Sequence, residues 1–112
     1  MVAEGKDGER MNEYMGLLFD WDTAKDAANR KKHGIGFDEA MTAFGDPNQQ
    51  IYADEEHSDS EDRFVLLGYS EAAKLLIVCH CYRNGDSVTR IFSARKATPR
   101  ERRTYERGGM AT

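Results

Sequence analysis

Three segments in the second half of the chain constrain the fold most, because they are rich in strand-forming residues and separated by very short connections. They are "RFVLLGYS", "KLLIVCHCYR" and "SVTRIFSAR", and only "EAA" and "NGD" stand between them. Asn84-Gly85 is the dipeptide preferred in type I′ hairpin turns. Strands joined this tightly pair in opposite directions. The sequence therefore predicts an antiparallel meander.

Two short helices are predicted before this meander. Asp22 is suited to cap a helix over Thr23–His33, and Gly34 is suited to end it in the left-handed conformation. A second helix is indicated by apolar residues at i, i+3, i+4 and i+7, which are Phe37, Ala40, Met41 and Phe44. The segment "LLFDW" is a strand candidate before both helices, and "QQIYA" is a weak one after them.

A third helix is predicted over about Pro99–Arg107. Thr98 and Glu101 form a T-x-x-E capping box, with Pro99 at the first helical position. Tyr105 is the only large apolar residue of this helix, so core burial contributes little to it.

The predicted element order is β-α-α-β-β-β-β-α, which is typical of an α+β domain. We expect an antiparallel sheet of four to five strands with two N-terminal helices on one face and a C-terminal helix. Residues 1–16 are polar, with three Gly, and we expect a flexible leader there. A single domain is expected over 17–107 and a disordered tail over 108–112.

Length and composition exclude several classes of protein. A chain of 112 residues supports one domain. No apolar run approaches the roughly 20 residues that span a bilayer, and the N-terminus lacks the apolar segment of a secretory signal. We therefore expect a cytoplasmic protein that does not bind a membrane. Cys79 and Cys81 point to one face of a strand and are badly placed to pair with each other, so we expect free buried thiols in preference to a redox or metal role, and no metal or other cofactor.

The charge of the chain is segregated along the sequence. The net charge is -4, yet Arg90–Arg107 carries seven Arg or Lys against two Glu, which leaves -9 for the rest. Asp38–Asp62 holds nine Asp or Glu and no Lys or Arg, whereas Lys25–His33 is basic. A separate basic surface can bind a polyanion that the net charge would repel. The pattern fits two mutually neutralising solvated faces equally well.

The common catalytic motifs are missing from the sequence, which has no phosphate-binding glycine loop, no G-x-S-x-G elbow and no H-E-x-x-H pair. Its Arg, Lys, His and hydroxyl residues can nevertheless cleave RNA without a metal, by attack of the 2′-hydroxyl on the adjacent phosphate. That reaction needs a base, an acid and fixed positive charge. Arg suits the last task because its fork bonds two phosphate oxygens.

Each candidate also has a purely structural interpretation. His33 lies where a helix dipole favours a cation, and His57 suits either an acid or a plain surface position. His80, on an apolar strand, fits a hydrogen-bonded core position or a site. Tyr105 can be the docking anchor of the last helix, and Arg63 can pair with neighbouring acids. The residues alone leave these alternatives open.

Strict alternation along the last strand separates two of the arginines. It places Arg90 and Phe92 on one face, and Ser93 and Arg95 on the other. Arg90 and Arg95 can therefore share a site only if a bulge or the strand end re-aims one of them.

From Leu18 to Glu106 the chain is similar to the BrnT family of type II toxins. The blocks that carry this resemblance are "FDWDTAKDAANRKKHGIGFDEA", "FGDP", "HSDSEDRFVLLG" and "RIFSARKATPRERRTYE". The resemblance implies a compact RelE-like ribonuclease fold in the bacterial cytoplasm and growth inhibition by RNA cleavage. It also implies neutralisation by a BrnA-type antitoxin, with operator DNA bound only through the toxin–antitoxin complex.

The residues and the resemblance together give two sets of candidates. Candidate catalytic residues are Arg63, Arg95, Tyr105, His57 and His33. Candidate RNA- or phosphate-binding residues are Lys25, Lys32, Arg90, Ser93, Arg100 and Arg103.

Three hypotheses follow for the basic surface. The first is a metal-independent endoribonuclease toxin. The alternative is a non-catalytic module that binds nucleic acid or an acidic partner protein, and a third possibility is that the basic C-terminal helix mainly serves the antitoxin.

Overall fold

The computed structural model of the chain describes residues 2–4, 9–58 and 61–108. Three α-helices lie in this part of the chain: α1 (Thr23–His33), α2 (Phe37–Thr42) and α3 (Pro99–Glu106). The strands are β1 (Val2–Glu4), β2 (Glu9–Tyr14), β3 (Leu17–Asp22), β4 (Gln50–Ala53), β5 (Phe64–Tyr69), β6 (Leu75–Arg83) and β7 (Val88–Lys96). None of the described helices is long and apolar enough to span a membrane.

Six strands of four to nine residues, together with the three-residue β1, form one mixed sheet in the order β1-β2-β3-β7-β6-β5-β4. The α+β class with three helices is confirmed. The prediction of four to five strands, all antiparallel, was wrong, because β3 pairs with β7 in parallel. Short turns fix the directions within β5-β6-β7, but β3 reaches β7 only through the helices and the rest of the sheet, so no local signal set its direction.

Regular structure begins before Leu17, in the stretch that we expected to be a flexible leader. Strand β2 pairs antiparallel with β3, from Glu9 opposite Asp22 to Tyr14 opposite Leu17. The polar composition of β2 hides its strand character, because the segment contains few of the β-branched and aromatic residues that indicate a strand. The domain limits that we expected stay a prediction, and residues 109–112 of the expected tail lie outside the described residues.

The main core lies between one face of the sheet and helix α2. The apolar stripe predicted for α2 is confirmed, since Phe37 and Ala40 are fully buried, Phe44 is buried and Met41 packs against the same cluster. Phe19 of β3 packs edge to face on Phe44, with ring centroids 5.0 Å apart. Helix α2 is thereby fixed over the sheet by apolar burial.

Helix α1 is held mainly by hydrogen bonds, because Asn29 is its only buried residue. The Asn29 amide accepts a bond from the Ala94 N–H (3.1 Å) and donates bonds to the carbonyls of Ala94 and Ile35 (both 2.8 Å). Strand β3 pairs with β7 only along residues 88–90. The side chain of Asn29 therefore takes the place of a neighbouring strand on the free edge of β7.

Strand β7 contains a bulge at Phe92. Cys79 of β6 pairs with Ser93, and His80 pairs with Ile91, so Phe92 is the extra residue between them. Ile91 and Ala94 consequently both face the main core. The bulge reverses the alternation beyond it, which places Arg95 on the same face as Arg90.

The opposite face of the sheet carries a smaller apolar cluster that α3 covers. Leu67, Leu75 and Ile77 are buried there, and Tyr105 of α3 packs against them. The predicted capping box is confirmed, with Thr98 Oγ1 accepting from the Glu101 N–H and Glu101 accepting from the Thr98 N–H. Helix α3 thus begins at a fixed point beside the end of β7.

We expect Asn29→Ala to lower the free energy of unfolding by about 2–4 kcal/mol, because it leaves the Ala94 N–H and C=O groups without their buried partner. Chemical denaturation measures this change. Lys31→Ala, an exposed substitution in the same helix, is the matched control and should stay within about 0.5 kcal/mol of the wild type. Equal effects of the two substitutions would show that the Asn29 amide does not anchor α1.

Candidate functional site

A cleft of about 470 Å³ opens beside α3, on the face of the sheet that this helix covers. It is lined by residues from α1, β5, β6, β7, α3 and the 3-10 turn that follows β4. Among them are five of the candidate residues that the sequence indicated: Lys32, His33, His57, Ser93 and Arg95. The fold therefore brings together three stretches that are far apart in the chain.

The last turn of α1 supplies Lys32 and His33 to the cleft. Their position follows from Asn29, one turn earlier, which ties α1 to the backbone of Ala94 between Ser93 and Arg95. The C-terminal end of a helix carries partial negative charge, which stabilises cations in its last turn.

Arg95 of β7 forms a bidentate ion pair with Glu101 of α3. Its Nη1 donates to Oε1 at 2.8 Å and its Nη2 donates to Oε2 at 2.9 Å. The hydrogen bonds from Arg95 hold the pKa of the Glu101 carboxyl at about 2, and the same contact raises the pKa of Arg95. Both charges are therefore present at neutral pH.

His57 is exposed at the rim of the cleft and is oriented by Asp54. The Asp54 carboxylate lies 3.0 and 3.1 Å from His57 Nδ1. Asp54 is itself held by its backbone, which bonds to Arg63, His57 and Ser58. Because Asp54 engages Nδ1, Nε2 is the nitrogen that can exchange a proton with a ligand.

Two more cations lie against the ring of the bulged residue Phe92. The guanidinium carbon of Arg63 lies 4.0 Å from the centroid of the Phe92 ring, and Lys25 Nζ lies 5.5 Å from it. Arg63 also approaches Glu61 at 3.9 Å. Phe92 precedes Ser93 of the cleft in sequence, so this cation pair extends the positive surface along β7.

Six candidates do not line the cleft: Lys25 and Arg63, which lie against Phe92, and Arg90, Arg100, Arg103 and Tyr105. Arg90 is buried, and its Nη1 lies 3.4 Å from Asp20 Oδ2 of β3. It shares a face of the sheet with Arg95, but its guanidinium is paired with the neighbouring strand. Arg100 and Arg103 are exposed on α3. Tyr105 donates a hydrogen bond to Asp46 at 2.5 Å, and burial together with this bond raises its pKa to about 12.

His80 and the two cysteines occupy structural positions. His80 is fully buried, contacts the Val78 carbonyl and the Tyr82 hydroxyl at 3.1 Å each, and packs edge to face on Phe44. Burial lowers the pKa of His80 to about 4, so it is neutral at physiological pH. Both cysteines are free thiols, as expected; Cys81 is buried, whereas Cys79 is only partly buried and lines the cleft.

The sequence did not identify Asp54, Phe92 or Glu101 as members of the site. Glu101 was visible only as a capping residue, and Phe92 only as a strand residue. Asp54 lies in an acidic run whose members look alike. The contacts that distinguish these residues are made across the fold, where sequence patterns carry no signal. Within the described residues no group of three or more His, Cys, Asp or Glu could hold a metal ion.

The fold and the cleft define a small α+β protein whose site combines two cationic side chains and two imidazoles, which can bind phosphate, with two carboxylates. The chain belongs to the BrnT family: the family model described as "Ribonuclease toxin, BrnT, of type II toxin-antitoxin system" matches residues 21–101. Membership of this family implies an RNA substrate and an antitoxin partner.

A solved relative supports the fold. The crystal structure of the Brucella abortus ribonuclease toxin, BrnT, is 20% identical to this chain, with a TM-score of 0.52 over 70% of this chain and 92% of that one. At this identity the likeness concerns the fold alone. No curated protein matches the chain.

The burial of His80 predicts a pH-dependent stability. Between pH 6.5 and about 4 the unfolded chain binds a proton at His80 that the folded chain does not, so stability falls with decreasing pH by up to about 1.4 kcal/mol per unit. His80→Gln removes this titration. We expect denaturation curves to show a smaller loss of stability for the variant than for the wild type across this window, and parallel losses would contradict the assignment.

Proposed function

We propose that this chain is a metal-independent endoribonuclease toxin that cleaves RNA in the cleft between α1, β7 and α3. The observation that carries the proposal is the convergence of Lys32, His33, His57, Ser93 and Arg95 on one cleft. Family membership supports ribonuclease activity in general, and the cleft supplies a specific way to perform it.

The reaction begins when a base removes the proton of a 2′-hydroxyl. The 2′-oxygen then attacks the adjacent phosphorus, the bond to the 5′-oxygen breaks, and an acid protonates that oxygen. The products are a 2′,3′-cyclic phosphate and a 5′-hydroxyl end. Negative charge grows on the phosphate oxygens during the attack, so fixed cations beside them lower the barrier.

His57 is the residue of the cleft best arranged for proton transfer. Asp54 bonds its Nδ1 and fixes the ring, which leaves Nε2 for the 2′-hydroxyl or the leaving oxygen. His33, which also lines the cleft, serves as the second proton-transfer group. Arg95 and Lys32 supply positive charge at the reacting phosphate, and Ser93 adds a hydroxyl donor.

The cations on Phe92 extend this site. We assign Lys25 and Arg63 to a neighbouring phosphate of the same RNA strand, because the Phe92 ring holds both of them without neutralising their charge. Tyr105 has no part in this scheme, since it anchors α3 to Asp46. The catalytic role that the sequence suggested for Tyr105 stays a prediction, and this scheme does not require it.

The biological setting follows from the family. We propose a cytoplasmic toxin that a BrnA-type antitoxin neutralises by covering the cleft, and that reaches operator DNA only within that complex. The exposed basic side of α3, which includes Arg100 and Arg103, is available to RNA or to the antitoxin.

The decisive experiment is RNA cleavage by the purified chain, free of antitoxin, in the presence of EDTA. We expect cleavage products with 2′,3′-cyclic phosphate and 5′-hydroxyl ends. Lys32→Gln should reduce the rate by about tenfold or more, because it removes a phosphate contact worth about 1.5 kcal/mol or more. Lys31→Gln removes the same charge from the neighbouring position, which does not line the cleft, and should change the rate less than about threefold.

His57→Gln separates catalysis from binding in the same assay. We expect the loss of one proton-transfer group to reduce cleavage by about 10²-fold or more while RNA binding is retained. A variant that inhibits growth like the wild type without cleaving RNA would favour a non-catalytic binding module, and one that cleaves RNA like the wild type would remove His57 from the reaction. A wild-type chain that cleaves neither free RNA nor RNA on translating ribosomes would refute the proposed activity.

A further inference from the structure

Glu101 faces the cleft although its carboxylate is negative and the proposed substrate is an anion. We propose that Glu101 is a positioning residue for RNA cleavage: it grips one edge of the Arg95 guanidinium and leaves the other edge to bind the reacting phosphate. This inference rests on the proposed function and adds a residue to it.

The donor inventory of Arg95 supports this arrangement. A guanidinium has five N–H donors in one plane. Two of them go to the Glu101 carboxylate (2.8 and 2.9 Å), and a third goes from Nη1 to the Lys96 carbonyl at 3.2 Å. Within the described part of the chain no acceptor is bonded to the remaining two, on Nε and Nη2. These two donors lie side by side and form a second fork of the kind that binds phosphate bidentately.

Glu101 is itself fixed, so the grip on Arg95 is rigid. Its Oε1 accepts from the Thr98 N–H at 2.8 Å, and its own N–H donates to Thr98 Oγ1 at 3.2 Å. The cap of α3 thus fixes the Glu101 side chain, and Glu101 in turn fixes the Arg95 guanidinium. A long side chain such as Arg otherwise loses considerable rotamer freedom when it binds a ligand, and a carboxylate that orders it beforehand reduces that loss.

A competing role for Glu101 would use the same contacts and predicts the opposite result. A carboxylate and a phosphate can compete for one guanidinium, in which case Glu101 would restrain Arg95 until RNA displaced it. The two unengaged donors argue for positioning, because RNA can bind Arg95 without breaking the ion pair.

The two tasks of Glu101, capping α3 and holding Arg95, can be separated by substitution. Glu101→Gln keeps the capping box, since Gln serves at the third helical position as well as Glu. It removes the negative charge and one of the two acceptors for Arg95. Thr98→Ala does the reverse, because it weakens the cap and leaves the Glu101 carboxylate in place.

The test is the cleavage kinetics of these two variants. We expect Glu101→Gln to lower kcat about tenfold with a change in KM below about threefold, because the pre-ordered Arg95 acts mainly in the transition state. Thr98→Ala should lower the melting temperature by a few degrees and leave kcat within about twofold. In an Arg95→Lys background, Glu101→Gln should have little further effect, since Lys offers no fork to hold.

Three results would overturn the assignment while the wild type still cleaves RNA: an unchanged kcat for Glu101→Gln, a tighter KM or RNA affinity for that variant, or an equal loss of kcat for Thr98→Ala. If Glu101→Gln does not fold, Glu101→Asp takes its place with the same expectation, because its shorter carboxylate keeps the charge without reaching both nitrogens. A wild type that does not cleave RNA overturns the proposed function and this inference together.

Discussion

The site depends on one extra residue in β7. Without the bulge at Phe92, the alternation of the strand would place Ser93 and Arg95 on the face that α2 covers, and Ala94 on the face of the cleft. With it, Ile91 and Ala94 both enter the main core and the polar residues beyond the bulge face the cleft. The same residue holds Lys25 and Arg63 through its ring. Bulges near functional sites commonly re-aim side chains in this way.

The second requirement is a strand edge that β3 leaves free. Asn29 occupies that edge with its amide and thereby brings the basic end of α1 beside Arg95. This arrangement brings cations from two distant segments of an acidic chain into one cleft. Two carboxylates enter the cleft with defined partners, Asp54 with His57 and Glu101 with Arg95, so each orients a functional group.

Local signals predicted the parts of this structure that local contacts determine. The bounds of α1, the apolar stripe of α2 and the capping box of α3 follow from side chains within one or two turns of each other, and the structure confirms them. Turn length likewise fixed the directions of β5, β6 and β7. Five of the eleven candidates line the cleft, because the residue types that RNA cleavage requires, together with the family resemblance, indicated them.

Contacts between distant parts of the chain were not predictable in the same way. No turn in the sequence indicates the parallel pairing of β3 with β7. The bulge depends on the register of Cys79 and His80 against β7. Arg90 looks like a phosphate ligand in sequence but lies against Asp20, and Tyr105 lies against Asp46. In both cases a long-range partner determines the position of the side chain.

We propose above all that the RNA backbone binds in the cleft, whether or not the exposed basic side of α3 also contacts it. NMR titration of the chain with an RNA oligonucleotide that carries 2′-O-methyl groups, which cannot be cleaved by 2′-hydroxyl attack, tests it directly. We expect chemical-shift changes at Lys32, His33, His57, Ser93 and Arg95, from elements that meet only in the cleft. Changes confined to Arg100, Arg103 and Arg107, with no response from the cleft, would contradict it.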